Sequence, residues 1–258
     1  MAKFLKTLAE NARKAIDDGN YEINFTIYKP LFSITKAIKN CKHIPIITEI
    51  KFASPSMGTI REYTDPTIMA RSMIEAGSIG LSVLTQPYMF KGSVNYLANI
   101  RLVTASPILM KDITISDVQV EAAKKLGADC ILLISSVFKE GLCESSIECF
   151  IEKAHTLGLE VLLETHTEEE FRHAMNSDAD LVGINNRNLE TMNIDIKTTE
   201  RILRNCEKRK PVVSESGLSE PAQIRYLKGV GADAFLIGTS IMQSHNIKDK
   251  VRKLVMAI

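Results

Sequence analysis

Glu49 and Lys51 are opposite charges two residues apart, where the apolar run from Ile46 stops. Residues i and i+2 of a strand point to one face, so both charges face the same side. Ser54-Pro55-Ser56 then forces a loop, because proline has a fixed φ and no donor, and Gly58 lets the loop close. Other apolar runs end in the same kind of chemistry: Lys111 with Asp112, Glu164, and Asn185 with Arg187. Ammonium and carboxylate groups brought together are the parts of general acid–base catalysis. A salt-bridged strand end is the plain alternative for any one of them. Two further ends, Ser214-Glu215-Ser216-Gly217 and Gly238-Thr239-Ser240, are small and Gly-rich. Bare backbone N–H groups and a following helix start at Ser240 suit an anion, so Ser216, Gly217, Gly238 and Thr239 are candidates for binding phosphate.

These residues need elements that bring them to one place. Short β-branched runs at Ile44–Glu49, Ile79–Leu84, Ile108–Met110, Cys130–Ile134, Glu160–Glu164, Leu181–Asn185, Pro211–Glu215 and Ala234–Ile237 read as strands. Between them lie helix starts: Asp65-Pro66, Ser116, the capping box Thr167-Glu168-Glu169-Glu170, and Ser219. Continuous apolar strands alternating with helices imply a parallel sheet covered on its outer face. Gly77-Ser78, Gly127-Ala128, Asp178-Ala179 and Gly231-Ala232 precede every second strand at spacings of 50, 51 and 53 residues. That even period predicts a closed (β/α)8 TIM barrel over 44–258; a doubly wound sheet would break it at a switch point. The barrel places its active site at the C-terminal ends of the strands, where all the residues above fall. Residues 1–43 read as an N-terminal helical extension with Phe4, Leu5, Leu8, Ala12 and Ile16 at helical spacing. Core contact and a lid are both open roles for it. Gly229-Val-Gly231-Ala-Asp-Ala234 resembles a dinucleotide fingerprint but opens a strand after a helix, the reverse of the required order.

Composition narrows the partners. The 258 residues are 45% hydrophobic with a net charge of +1, which gives no reason to expect nucleic acid or an anionic membrane. The longest apolar run, Cys130–Ile134, cannot span a bilayer, and no secretory signal opens the chain. Five scattered cysteines without a Cys-x-x-Cys pair fit reduced cytoplasmic thiols, and five histidines without paired spacing speak against a metal.

Seven ordered motifs carry a family resemblance. They are Glu49-Ile-Lys51-x-x-Ser54-Pro55-Ser56, Ser82-Val-Leu-Thr85, Leu109-Met-Lys111-Asp112, Leu159-Glu-Val-Leu-Leu-Glu164, Gly183-Ile-Asn185-Asn-Arg187-Asn-Leu, Ser214-Glu-Ser-Gly217 and Phe235-Leu-Ile-Gly238. Together they resemble indole-3-glycerol-phosphate synthases over about residues 44–242. The resemblance implies ring closure, decarboxylation and dehydration of 1-(2-carboxyphenylamino)-1-deoxyribulose 5-phosphate, without metal or organic cofactor. It implies that Lys111 is the general acid and Glu164 the proton shuttle for dehydration. Lys51 binds substrate and assists proton transfer, Glu49 orients it, and Asn185 and Arg187 are polar contacts. Ser54, Pro55 and Ser216 also touch substrate on this reading. Phe90, Leu109, Leu132 and Ile184 are candidate walls for the aromatic ring, with plain core the alternative for the three aliphatics. A general acid of this kind calls for a lysine pKa lowered by burial and cationic neighbours. Phe52 and Met57 stand where the family has basic residues, Gln86 where it has Glu, and Ile113 where it has an aromatic. The implied partner is a small phosphorylated substrate, with no nucleic acid and no membrane, and a monomer or weak homodimer. Two other classes compete: a barrel that binds a phosphorylated metabolite without turnover, and a sugar-phosphate isomerase barrel. Keeping both Lys111 and Glu164 argues against the first. The strand-3 pair Lys111-Asp112 argues against the second, whose members usually place acid–base residues on strands 1 and 5.

Overall fold

The computed structural model describes residues 2–30 and 32–257; Met1, Leu31 and Ile258, which belong to the expected extension and barrel, lie outside the described residues. Eight parallel strands close into a barrel: β1 (Ile46–Ile50), β2 (Gly80–Leu84), β3 (Ile108–Lys111), β4 (Cys130–Ile134), β5 (Glu160–Thr165), β6 (Leu181–Asn185), β7 (Val212–Glu215) and β8 (Ala234–Ile237). All eight expected strands are present, with ends moved by at most two residues. Strand β8 returns to β1 in parallel, pairing Phe235 with Ile46 and Leu236 with Ile47. The expected repeat has a simple cause at three of its four points. Gly77, Gly127 and Gly231 end helices in the left-handed region, with φ of 104°, 83° and 119°.

Period-two alternation divides each strand between two cores. Ile46, Leu81, Met110, Leu133, Leu163 and Val182 join the outer layer beneath the helices. Their neighbours Ile47, Leu109, Leu132, Leu162 and Val213 fill the barrel interior. The inward positions turn polar toward the C-terminal ends, which puts Glu49, Lys111, Glu164, Asn185 and Glu215 on the inside of one rim. Leu109 belongs to the floor and Ile184 to the outer layer, so neither lines the ring site proposed for them.

Helix caps follow sequence with two adjustments. Asp65 accepts from Thr67 N, and Ser116 forms its capping box with Gln119. Glu170, expected to close a box onto Thr167, accepts instead from the His166 N–H at 2.6 Å, one residue earlier. The helix expected to start at Ser219 is capped by Glu220 and runs Pro221–Val230, because Pro221 suits the first helical position.

The N-terminal extension grips the barrel at both ends. Helix α1 (Ala2–Asp17) buries Leu5, Leu8, Ala9 and Ala12 in the same apolar cluster as Leu132 and Ile134 of β4. Helix α2 (Ile34–Asn40) sits at the opposite end, where Glu160 at the start of β5 accepts from Ser33 Oγ at 2.5 Å and Ile34 N at 2.7 Å. Between them, Ile27 N donates to Lys125 O and Lys29 pairs with buried Asp129, which Arg101 also holds. Tyr21 reaches Asp112 with its hydroxyl at 2.7 Å. Asp112 therefore points away from Lys111 into a buried network with Tyr21, Thr85, Gln119 and the Ile113 N–H. Burial raises the pKa of this carboxyl, opposed by its bonds from Thr85 and Tyr21. Removing one donor leaves a buried carboxyl short of a partner, which costs about 1–3 kcal/mol. Tyr21→Phe should lower the urea midpoint accordingly; an unchanged midpoint would show that Asp112 does not tie down the extension.

Candidate active site

A cavity of about 360 Å³ opens at the C-terminal rim of the barrel, and apart from Leu109 and Ile184 every site residue expected from sequence lines it. Glu49 and Lys51 come from β1 and the residue just beyond it, Lys111 from β3, Leu132 from β4, Glu164 from β5 and Asn185 from β6. Arg187 follows β6, Ser216 and Gly217 follow β7, and Gly238 and Thr239 follow β8. Ser54 and Pro55 overhang the mouth from a small hairpin, Ala53–Ser54 paired with Gly58–Thr59. Phe90 enters from the short helix Pro87–Phe90.

The inner charges form one interlocked group. Lys111 Nζ donates to Glu164 Oε2 at 3.0 Å and to Glu215 Oε2 at 2.7 Å. Asn185 Nδ2 donates to the other oxygen of Glu164 at 3.0 Å, and its own Oδ1 accepts from the Arg187 N–H. Lys51 Nζ lies 2.5 Å from Glu49 Oε1. Three carboxylates thus share two ammonium groups in a nearly buried site.

That imbalance sets the protonation states. Burial alone would lower the Lys111 pKa, but Glu164, Glu215 and Glu49 outweigh it and raise it above the ordinary lysine value. The expectation of a lowered pKa from cationic neighbours is therefore wrong: the neighbours are carboxylates. Glu164 also feels burial, yet Lys111, His166 and Asn185 hold it well below the usual carboxylate range. Glu215 goes the other way and is pushed up to about 7, first by burial and then by Glu164 and Glu49, despite Lys111. Glu215 Oε1 is buried without a hydrogen-bond donor, so nothing on that side stabilises the ionised form.

Two glycines make room for these carboxylates. A Cβ on Gly183 would stand 2.2 Å from Glu215 Oε1, and one on Gly238 would stand 2.5 Å from Glu49 Oε1. A side chain at Gly238 would therefore displace Glu49 before it disturbed a bound anion. At the end of β7, Ser216 and Gly217 are both left-handed, with φ of 68° and 79°. Asn186 holds the strained Ser216 by donating to its carbonyl at 3.1 Å. After β8, Gly238 precedes the four-residue helix Thr239–Met242, whose first N–H groups have no acceptor within the helix.

The apolar wall includes residues that the strand-end reading passed over. Phe4 and Leu8 of α1 line the cavity beside Phe90 and Leu132, so the extension supplies part of the site. Their helical spacing was the available signal, but not the direction in which α1 packs. Glu215 was visible as a strand end, and its inward direction follows from the alternation through Val213. The four departures from the family pattern separate clearly. Phe52 is buried against Tyr63 and Tyr96, at ring distances of 5.7 and 5.5 Å, and does not line the cavity. Gln86 caps the Pro87–Phe90 helix by accepting from Met89 N, a task a Glu carboxylate could equally do. Met57 lies at the exposed mouth, and Ile113 is buried in the wall.

The folded protein holds the Glu215 proton up to about pH 7, whereas the unfolded chain releases it near 4.5. Folding stability from this group is greatest below about pH 4.5 and falls as pH rises through 7. Glu164, held low in the folded protein and near 4.5 in the unfolded chain, is ionised in both states over most of that window. Wild type should lose on the order of 2–3 kcal/mol relative to Glu215→Gln between pH 4.5 and 8. Urea unfolding at both pH values measures it, and a pH-independent difference would contradict the assignment.

Comparison with known proteins bears on this arrangement. The sequence profile of indole-3-glycerol phosphate synthase matches residues 3–254. An indole-3-glycerol phosphate synthase of Methanocaldococcus jannaschii is 41% identical over 97% of this chain and 92% of its own length. One from Acetivibrio thermocellus is 40% identical over 88% of this chain and 85% of its own. Among solved structures, an N-acetylmannosamine-6-phosphate 2-epimerase from Clostridium perfringens superposes with a TM-score of 0.60 at 15% identity, covering 83% of this chain and 93% of that one. At that identity the likeness is one of fold alone. Matched along nearly its whole length, with its charged residues on one barrel rim, this chain belongs to the indole-3-glycerol phosphate synthase family.

Proposed function

We propose that this protein is a carboxy-lyase of tryptophan biosynthesis. It closes 1-(2-carboxyphenylamino)-1-deoxyribulose 5-phosphate to indole-3-glycerol phosphate with loss of CO2 and water. Beyond family membership, the observation that carries the reading is Lys111 held between Glu164 and Glu215 at 3.0 and 2.7 Å inside the cavity. A binding site for a phosphate anion has no use for three buried carboxylates; an acid–base reaction does.

The roles follow from position and charge. Lys111 is fully charged before substrate arrives, because its neighbours are acidic. It protonates the ketone oxygen as the aromatic carbon attacks. Loss of that proton leaves the carboxylates without their shared cation, and Glu215, 2.7 Å away and protonated up to about pH 7, can return one. Glu164 stays ionised and takes a proton from the ring during dehydration, with Asn185 fixing its outer oxygen. Lys51, paired with Glu49, faces the same space as a second cation for substrate and proton transfer. Phe4, Leu8, Phe90 and Leu132 provide an apolar wall for the aromatic ring, and Arg187 a polar contact. The backbone at Ser216, Gly217, Gly238 and Thr239 takes the phosphate, with Ser54 and Pro55 covering the mouth. Restored aromaticity drives decarboxylation, so the reaction requires no metal or organic cofactor.

The direct assay is indole fluorescence after adding the anilino-ribulose phosphate, and the chain contains no Trp to obscure it. Absence of indole product from the wild-type protein would overturn the proposal. Lys111→Ala should lower kcat by ~10²–10⁴-fold with the fold intact, the usual value of general acid catalysis. Lys111→Arg should not rescue it, since guanidinium does not release its proton near neutral pH. A loss below about tenfold would remove Lys111 from that role.

A further inference from the structure

His166 follows β5 immediately, two residues past Glu164, and does not line the cavity. Its side chain is only 7% exposed. Nε2 lies 3.4 Å from Glu164 Oε1, and Nδ1 lies 3.7 Å from Glu170 Oε2. Both ring nitrogens are buried and without a hydrogen bond at these distances. Glu170 is itself fixed, because its carboxylate accepts from the His166 backbone N–H at 2.6 Å. The imidazole is thus wedged between two carboxylates, one facing each nitrogen.

We infer that His166 is a positioning residue for Glu164: a buried imidazolium that holds the carboxylate from behind and anchors it to Glu170. This rests on the role proposed above for Glu164. A carboxylate only accepts, and a neutral imidazole has one nitrogen that only accepts. Either neutral tautomer would set a lone pair against one of the two glutamates; the doubly protonated ring gives each a donor. Burial opposes the charged ring, but Glu164 and Glu170 more than offset this and raise its pKa to about 9. Other charges near it are directed elsewhere. Lys139 of the adjoining helix Ser135–Lys139 pairs with Glu169 on the surface at 3.0 Å, and Lys111 lies on the far oxygen of Glu164. The arrangement has a use in turnover. When Lys111 gives its proton to substrate, Glu164 loses one of its cations, and His166 keeps it charged and in place.

Two measurements test this. In a protein whose other four histidines (His43, His155, His173 and His245) are replaced by glutamine, His166 gives the only imidazole signals. Nitrogen-15 NMR at pH 7.5 should show both ring nitrogens protonated, whereas a neutral ring in the folded protein would overturn the inference. The second is His166→Gln, which keeps a donor but removes the charge. It should lower kcat roughly tenfold or more, leave KM within about threefold, and change the urea midpoint little. Unchanged kcat, or a fall in kcat no larger than the measured loss of folded protein, would leave His166 an ordinary core residue. Should the variant fail to fold, the NMR result on the folded protein still decides. Wild type without turnover would count against the proposed reaction, whereas wild-type turnover with an unaffected variant would count against His166 alone.

Discussion

The site depends on one constraint: three carboxylates and two ammonium groups confined to the mouth of a barrel. Opposite charges at about 3 Å attract by several kcal/mol even at an effective dielectric near 20, but desolvating each ion costs a comparable amount. Such a cluster adds little net stability, and an apolar filling would serve the fold as well or better. What the cluster does is assign charge. Lys111 is kept protonated, Glu164 is kept ionised, and the surplus negative charge falls on Glu215, which resolves it by holding a proton up to about pH 7. An acid, a base and a proton reserve lie within 3.0 Å of one lysine or on it.

The rest of the chain makes that confinement possible. Each carboxylate needs space that a barrel interior does not normally offer. Gly183 and Gly238 provide it by omitting side chains that would overlap Glu215 and Glu49. The extension then closes the cavity with Phe4 and Leu8, and is held by Tyr21 on Asp112 near the rim and by Ser33 and Ile34 on Glu160 at the far end. Covering the site excludes water, which strengthens every interaction inside it. Stability therefore resides in the two apolar layers, away from the reacting groups.

Much of this was legible in the residues. The eight strands, their even period and the polar turn at each C-terminal end follow from patterning that operates within single elements. So does the rim position of Glu49, Lys51, Lys111, Glu164 and Asn185. What escaped is set by contacts between elements. The direction of the Lys111 pKa shift depends on Glu215 and Glu164, which are 104 and 53 residues away in sequence. The turning of Asp112 toward Tyr21 depends on the path of the extension, and the displaced cap from Glu170 to His166 depends on how the helix leaves β5. Gly183 reads as an ordinary weak strand residue until Glu215 is placed over it.

The central claim is that the charged rim carries out a reaction and does not merely hold an anion, and Glu164 separates the two cases. Glutamine at this position keeps the size and most hydrogen bonds but cannot shuttle a proton. Single-turnover kinetics with the anilino-ribulose phosphate, comparing wild type and Glu164→Gln beside their substrate affinities, tests it most directly. If the account holds, the variant binds substrate with little change and stalls before dehydration, because the lost interaction belongs to the transition state. Equal single-turnover rates, or a variant whose only change is tighter binding of the anionic ligand, would contradict it.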